Sequence, residues 1–590
     1  MNFARLGLLA MTALCLGTAV ARADCKMNIL LVMPVTMSGT KPMVTVQLDG
    51  MEAHMIMDTG SFFSFLTPEA AKRAGLDVGI APGNLRVEGI GGVADVGKAT
   101  VRNFVIGKQN LHRADFLVYG DRFSANGVDG VLGQNILRIT NNIEIDLANG
   151  VVRLAKTTGC GSANEAYWAG STPVGLLRIP ATSLGQSQVI ADAQVNGTDI
   201  RVMFDSGANF SNLSLHAAAK AGITPQSPGV TPGGLTFGFG NAERDSWIAP
   251  FKSFKLDEEE TRNTHLRIGQ LSGLPDNVDM LLGADFFLSH RIFIDYGERK
   301  LFFTYNGGPV FDLSVHRPPA DASAPAAAVA NEATSATAAD SDRRGEAAVA
   351  RGDLSAAIAD FGLAIAAEPN NAQYLLHRAQ AEARSGEPQQ GLADLETALH
   401  LQPHLTEALM LRAAFRLRNN NLDGARADFA AAEASAPDRF ELPLEEASLY
   451  ASTERYPMAL QLLDSWIAAH SRDDRLADAR AERCLVRGML GKDLDAALAD
   501  CNSAKREASS NYEFLYSRGI VQLRRKEYAK AIADLSDTIE RQPHFARAFY
   551  ARGLAKMGKG DRMGGEADLQ AALAIDPRVA RVFRDVDLGP

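Results

Sequence analysis

Met57-Asp58-Thr59-Gly60-Ser61 recurs in the same chain as Phe204-Asp205-Ser206-Gly207-Ala208. Each is an Asp-[Ser/Thr]-Gly turn entered from an apolar stretch that predicts a strand, over residues 53–57 and 200–204. One such turn alone is ordinary turn chemistry. Here the flanks repeat in register as well. Gln47-Leu48-Asp49-Gly50 matches Gln194-Val195-Asn196-Gly197, and Ala71-Lys72-Arg73-Ala74-Gly75-Leu76 matches Ala218-Ala219-Lys220-Ala221-Gly222-Ile223. The Gly50, Asp58 and Gly75 pairs share one spacing of 147 residues, so no gap falls between them. One unit has been duplicated, and each copy has kept its aspartate. Two like charges brought together yield an acid and a base from a single residue type.

Around this duplication the chain has 590 residues, too many for one core. Its 46% hydrophobic and 22% charged content is that of a soluble globular protein. A formal charge of −10, with no long basic run and no glycine-rich phosphate loop, argues against nucleic acid or an anionic membrane as the main partner. The N-terminus reads as a signal peptide over residues 1–23: Arg5 is the positive end, residues 6–20 the apolar run, and Ala21-Arg22-Ala23 an A-x-A cleavage site. No other segment is apolar enough to span a membrane. The expected location is therefore outside the cytoplasm, in the periplasm or secreted. Cleavage leaves Cys25, Cys160, Cys484 and Cys501, an even number in an exported chain. The predicted disulfides are Cys25–Cys160, which encloses the first copy, and Cys484–Cys501, on two helices read as antiparallel neighbours. No cysteine pair has metal-ligand spacing with histidine and no H-E-x-x-H occurs, so neither a metal nor another cofactor is expected.

Residues 24–312 read as β-rich. Short alternating runs at 43–48, 101–106 and 143–147 are bounded by Gly, Asn and Asp. Asp49-Gly50 and Asn196-Gly197 predict hairpin turns, and residues 68–74 and 215–221 predict short helices stopped by Gly75 and Gly222. The copies divide as 24–160 and 161–312. Residues 313–340 are Ala-, Pro- and Ser-rich and read as a flexible linker. From 341 to 590 the pattern is helical and periodic. Pro369, Pro403 and Pro437 keep one interval of about 34 residues, as do Pro543 and Pro577, and Arg378-Ala379, Arg412-Ala413, Arg518-Gly519 and Arg552-Gly553 hold the same phase. The phase slips between 438 and 510.

Two resemblances follow. The helical half resembles the tetratricopeptide repeat, about seven copies of it, which implies an α-solenoid with a groove for a protein partner. In the β-rich half, Val131-Leu132-Gly133 and Leu281-Leu282-Gly283 close the two copies, and strands follow at Ile143-Glu144-Ile145-Asp146-Leu147 and Ile292-Phe293-Ile294-Asp295-Tyr296. An apolar-apolar-Gly strand downstream of Asp-[Ser/Thr]-Gly resembles the retropepsin-like aspartic peptidases, and Met280–Phe287 is close to their exported bacterial members. The resemblance spans residues 40–304. It implies an all-β two-lobed fold with Asp58 and Asp205 paired at the lobe interface as the catalytic dyad. Thr59, Gly60, Ser61, Ser206, Gly207 and Ala208 form the two turns, and Gly133 and Gly283 brace them. Gly89, Ile90, Gly91 and Gly92 become the tip of a flap that closes over substrate. The corresponding segment of the second copy, Phe237-Gly238-Phe239-Gly240-Asn241, matches that flap less well.

The chemistry so implied is peptide hydrolysis: one carboxyl keeps its proton, the other is ionised, and a water between them attacks. The hydroxyls of Thr59 and Ser206 are expected to fix the turns across the interface. A Ser61 hydroxyl donating to Asp58, with Ala208 offering no counterpart, makes Asp58 the anion and Asp205 the proton carrier. Asp146 and Asp295 read as structural, as do His54, His216 and His290, and Phe62-Phe63-Ser64-Phe65 as core lining. The reading is an exported aspartic endopeptidase whose repeats bind substrate or partner. The rival is an exported scaffold that holds peptides without cutting them.

Overall fold

The computed structural model describes residues 25–81, 86–89, 92–119, 127–160, 164–180, 188–236, 244–271, 274–275, 277–311, 337–386, 388–471, 473, 475–507 and 512–589. The segment read as a signal peptide, the expected flap residues Ile90 and Gly91, the second-copy segment 237–241 and residues 313–336 of the expected linker lie outside them.

Each copy folds into a barrel-like sheet. In the first, Lys41–Leu48, Met51–Met57, Gly130–Leu132, Phe65–Leu66, Gln109–Val118 and Gly97–Ile106 are neighbours in that order, and Lys41–Leu48 pairs again with Gly97–Ile106 to close the ring. The second copy repeats this with Ile190–Val195, Thr198–Phe204, Met280–Leu282, Asn212–Ser214, Glu259–Gly269 and Arg244–Leu256, closed by pairing of the first and last. Local sequence explains the corners. Asp49 and Gly50 (φ 50° and 94°) and Asn196 and Gly197 (φ 50° and 77°) take the left-handed conformations that a tight hairpin needs. Helices Pro68–Arg73 and Leu215–Lys220 start on hydroxyl caps from Thr67 and Ser214.

A third sheet joins the lobes. Its six antiparallel strands run Lys26–Pro34, Val151–Thr158, Asn142–Asp146, His290–Asp295, Lys300–Tyr305 and Gly175–Arg178. The central pair is the duplicated strand after each bracing glycine, with Ile143 opposite Ile294 and Ile145 opposite Ile292. Asp146 and Asp295 sit here. Asp146 caps the turn Leu147–Asn149 and lies 3.3 Å from Arg291, while Asp295 accepts from Thr157 and the Glu298 amide. Cys25 is bonded to Cys160, tying the ends of the first copy, and Cys484 to Cys501.

The C-terminal half is a helical array from Ala338 to Arg584, with seven helix pairs and a short final helix among the described residues. The periodic arginines are its internal struts. Arg378, Arg412, Arg518 and Arg552 pair with Asp394, Asp428, Asp534 and Asp568 on the next helix, always 16 residues on. Where the sequence phase slips, the pair is Arg483–Asp500, spaced by 17. The array begins earlier than the sequence predicts: Thr337 and Asp340 form a reciprocal cap, and Ala338–Ala350 is already helix. This helix packs on the β half. Ala347 is fully buried in the same cluster as Val35 and Leu147, and the Met37 amide donates to Glu346. The linker is therefore not the only tie between the halves.

Candidate active site

Asp58 and Asp205 each follow the last residue of a barrel strand, and each is threaded through the glycine strand of its own lobe. The Asp58 amide donates to the Leu132 carbonyl (3.0 Å) and the Asp205 amide to the Leu282 carbonyl (2.9 Å). Gly133 and Gly283 are glycines for a steric reason. A Cβ on Gly133 would sit 2.5 Å from the Phe63 carbonyl oxygen, and one on Gly283 would sit 2.5 Å from the Phe210 carbonyl carbon. Gly60 and Gly207 are constrained across the interface: a Cβ on either would collide with the opposite aspartate carboxyl. The two turns thus pack against each other through residues with no side chain, which brings the carboxyls together.

Four hydrogen bonds lock the turns reciprocally. The Thr59 hydroxyl donates to the Phe204 carbonyl (2.9 Å) and accepts from the Ser206 amide (3.0 Å). The Ser206 hydroxyl donates to the Met57 carbonyl (2.9 Å) and accepts from the Thr59 amide (3.1 Å). Both hydroxyl residues are wholly buried, so every lone pair and proton in this knot needs its partner.

The carboxyls of Asp58 and Asp205 lie within hydrogen-bond reach of each other. Asp58 Oδ1 accepts from the amides of Gly60 and Ser61, both at 2.8 Å. Asp205 Oδ1 accepts from those of Gly207 at 3.0 Å and Ala208 at 3.2 Å. Burial raises the pKa of Asp58, opposed by the hydrogen bond from Asp205 and by the two amides. Burial also raises Asp205 well above the usual carboxylate range, and the adjacent Asp58 charge pushes it further. Of the two carboxyls, that of Asp205 is raised the further above the usual carboxylate range. The sequence-based reason for that order is corrected here. The Ser61 hydroxyl donates to the Phe63 carbonyl (2.8 Å), not to Asp58. The two carboxyls are set apart first by each other, the hydrogen bond from Asp205 lowering Asp58 and the Asp58 charge raising Asp205, and only then by the backbone amides.

Of the residues expected to form a flap, Gly89 and Gly92 pair at the end of a two-stranded ribbon, Arg86–Gly89 with Gly92–Asp95. His290 is buried, stacks on Phe286 and meets Glu259 at 2.8 Å. His54 and His216 are exposed. Phe65 is buried and Phe62 and Phe63 half-buried.

Sequence reading missed a second ring of support. The Ser64 hydroxyl accepts from the Gly133 amide (2.9 Å) and donates to Asn135 (2.8 Å). In the other lobe the Ser211 hydroxyl accepts from the Gly283 amide (2.9 Å) and donates to Asp285 (2.7 Å). Gln134 adds a bond from its amide to the Thr59 carbonyl (2.7 Å) and accepts from the Tyr296 hydroxyl (3.1 Å). The spacing that relates the aspartates also relates Ser64 to Ser211, so the signal was present in the register. Away from the two aspartate turns, Asp342, Glu346 and His377 hold potential metal-ligand atoms within 4.8 Å of one another. Both nitrogens of His377 already contact side chains, Asp342 and Gln373 at 2.8 Å each.

With this geometry in place, residues 44–136 and 191–286 match the family described as aspartyl protease. Residues 343–406 and 378–440 match the tetratricopeptide repeat. Among solved structures, the chain is similar to a tetratricopeptide repeat protein from Parabacteroides merdae, with 19% identity over 42% of this chain and 98% of that one and a TM-score of 0.36. It is also similar to pilF of Pseudomonas aeruginosa, with 14% identity over 37% and 96% and a TM-score of 0.29. No curated protein matches the chain. The N-terminal half carries an aspartyl protease domain and the C-terminal half tetratricopeptide repeats.

Proposed function

We propose that the protein is an exported aspartic endopeptidase that hydrolyses peptide bonds through Asp58 and Asp205. One observation carries this reading: two carboxyls from duplicated turns meet at the lobe interface, each held by two backbone amides, with one driven to stay protonated. Asp58, ionised, takes a proton from a water placed between the carboxyls. Asp205 gives its proton to the carbonyl oxygen under attack, and proton return to the departing amine resets the pair. The knot of Thr59 and Ser206 keeps the carboxyls aligned, so little reorganisation is needed at the moment of reaction. The ribbon ending at Gly89 and Gly92 is the stem of a flap that excludes bulk water and grips an extended chain through its backbone. No cofactor enters the cycle.

The tetratricopeptide array is the binding partner of this machinery, a surface for a protein substrate or assembly factor. It is fixed to the protease half through Ala338–Ala350, and helix Tyr528–Arg541 approaches strand Thr231–Thr236 of the second lobe. The test is cleavage of a denatured protein by the full chain, with Asp58→Asn and Asp205→Asn as controls and a statine-type inhibitor. Peptide products that vanish in both variants and with the inhibitor are expected. Products that persist in either variant would refute the dyad.

A further inference from the structure

Where the array meets lobe 1, the first copy, the two halves enclose an open cavity of 590 Å³. Met37 and Gly39 of lobe 1 form one wall. The rest comes chiefly from the first helix of each of the first three repeats, Ala338–Ala350, Ala372–Ser385 and Thr406–Arg418. Gln380 and Arg384 follow His377 by three and seven residues, so all three lie on one helix face. Leu411, Ala414 and Arg418 hold the same positions one repeat later. The floor is apolar, with Phe361 and Phe415 buried and Val349 half-buried.

Arg384 and Arg418 are exposed, and among the described residues neither makes a hydrogen bond or an ion pair. They are not part of the framework of the repeat. The framework arginines of the same two helices, Arg378 and Arg412, are taken up by Asp394 and Asp428. At the position of Arg384 and Arg418 the flanking repeats have Ala350 and Ser452. A later repeat has Arg524 there, but its guanidinium donates to the carbonyls of Gly488, Met489 and Asp587. Among the described residues the cavity wall holds one carboxylate, Glu346. It lies with His377, two helical turns or about 10 Å from Arg384. Glu346 accepts from the Met37 amide (3.3 Å), and His377 Nδ1 meets Asp342 at 2.8 Å. The two guanidiniums are thus reachable and unmatched, and each offers a planar fork of donors that fits a carboxylate.

Resting on the reading of the array as a surface for a protein, we propose that this cavity docks a partner segment rich in acidic and apolar residues. Its apolar side chains lie on Phe361, Phe415 and Val349, and its carboxylates on Arg384 and Arg418. Charge complementarity selects this occupant, because the free charges of the cavity are positive and its floor is apolar. With Met37 and Gly39 as one wall, the docked segment touches both halves of the chain.

The experiment selects peptides from a random phage-displayed library on the full chain carrying Asp58→Asn, so that no peptide is cut. The selected peptide is then labelled and its binding followed by fluorescence anisotropy. Expected are sequences in which Asp or Glu stands beside Leu, Ile, Val or Phe. Arg384→Ala with Arg418→Ala should raise the Kd at least about tenfold, since two charge-assisted contacts are lost. Neither arginine has a partner in the fold to lose, so the Tm of the double variant should match that of its parent. Selected peptides without acidic enrichment, or binding that survives the double variant, would overturn the cavity and leave the array's partner reading standing. Selection of no peptide at all would overturn both. Octanoate is titrated alongside by calorimetry. Binding of octanoate that needs both arginines, with no peptide selected, would assign the cavity to a small carboxylate and overturn the protein segment.

Discussion

In lobe 1 the serine beneath the aspartate turn donates a hydrogen bond to an amide oxygen, Asn135 Oδ1; in lobe 2 the matching serine donates to a carboxyl oxygen, Asp285 Oδ1. Lobe 1 is drawn closed by a disulfide, and lobe 2 has no counterpart among the described residues. At paired outward positions lobe 1 carries Phe65 and Leu117 where lobe 2 carries Asn212 and Arg267. Against these differences stand the features the lobes share: the aspartate, its two backbone amides, the threaded strand and the crowded glycines. What is shared is backbone geometry, where any added atom collides. What differs is side chains that only need a partner of suitable size. Duplication therefore preserves the machinery and leaves room for each lobe to acquire its own chemistry.

The strongest way to break the comparison is at the dyad. If the lobes contribute unequal but indispensable halves of one acid–base pair, Asp58→Asn and Asp205→Asn should each lower kcat by at least about a thousandfold. The pH–rate profile of the wild type should fall on the acid side as Asp58 gains a proton. It should fall on the alkaline side only well above the usual carboxylate range, as Asp205 loses its own. A profile with a single ionisation would mean that the two carboxyls do not act as a pair.

The disulfide sharpens the comparison next. Cys25–Cys160 closes a span of 135 residues, for which chain entropy predicts about 4–5 kcal/mol of stabilisation. Cys25→Ala with Cys160→Ala should lower the Tm of the protease half markedly while leaving the lobe 2 contacts intact. An unchanged Tm in denaturation experiments would show that the interlobe sheet alone holds the ends.

Asp285→Asn makes lobe 2 copy lobe 1. Burial raises the pKa of Asp285 to about 6 despite its bonds from Ser211 and Phe286, and its second oxygen is buried without a partner. A carboxyl whose pKa is raised on folding favours the folded state most when protonated. Wild-type stability should thus decline as pH rises from about 4 to 6, by about 2–3 kcal/mol in all. Asp285→Asn should remove that decline, making the variant the more stable form at pH 7. Denaturant titrations at pH 4 and pH 7 decide this; parallel behaviour of the two proteins would show that Asp285 titrates normally.

The smallest effect is expected from Ser61→Ala, which gives lobe 1 the residue type of Ala208. Only the bond to the Phe63 carbonyl is lost, about 0.5–1.5 kcal/mol of stability. The acid limb of the pH–rate profile should stay in place, because Asp58 is held by backbone amides. A shifted limb would return the Ser61 hydroxyl to the role that sequence reading gave it.

The duplicated turns, both bracing glycines, the closed β architecture and the repeat array were legible in the sequence because they depend on local rules. Turns need Gly and Asp at fixed places, alternation marks strands, and a constant interval marks stacked helices. The sequence could not show which atoms those rules would bring together. The Ser61 hydroxyl finds its own turn rather than Asp58. The periodic arginines find aspartates one helix later. Ala338–Ala350, its first residues read as linker, buries Ala347 against the protease half. Most of all, Arg267 and Leu117 are far apart in the chain and share no motif. Only the pairing of strands reveals that they occupy one position in two lobes. The sequence by itself determined that there are two aspartates in two equal frames, and the tertiary structure decided which atoms meet across the interface and what surrounds each carboxyl. Hydrogen-bond lengths, burial and charge proximity are properties of space, not of spacing.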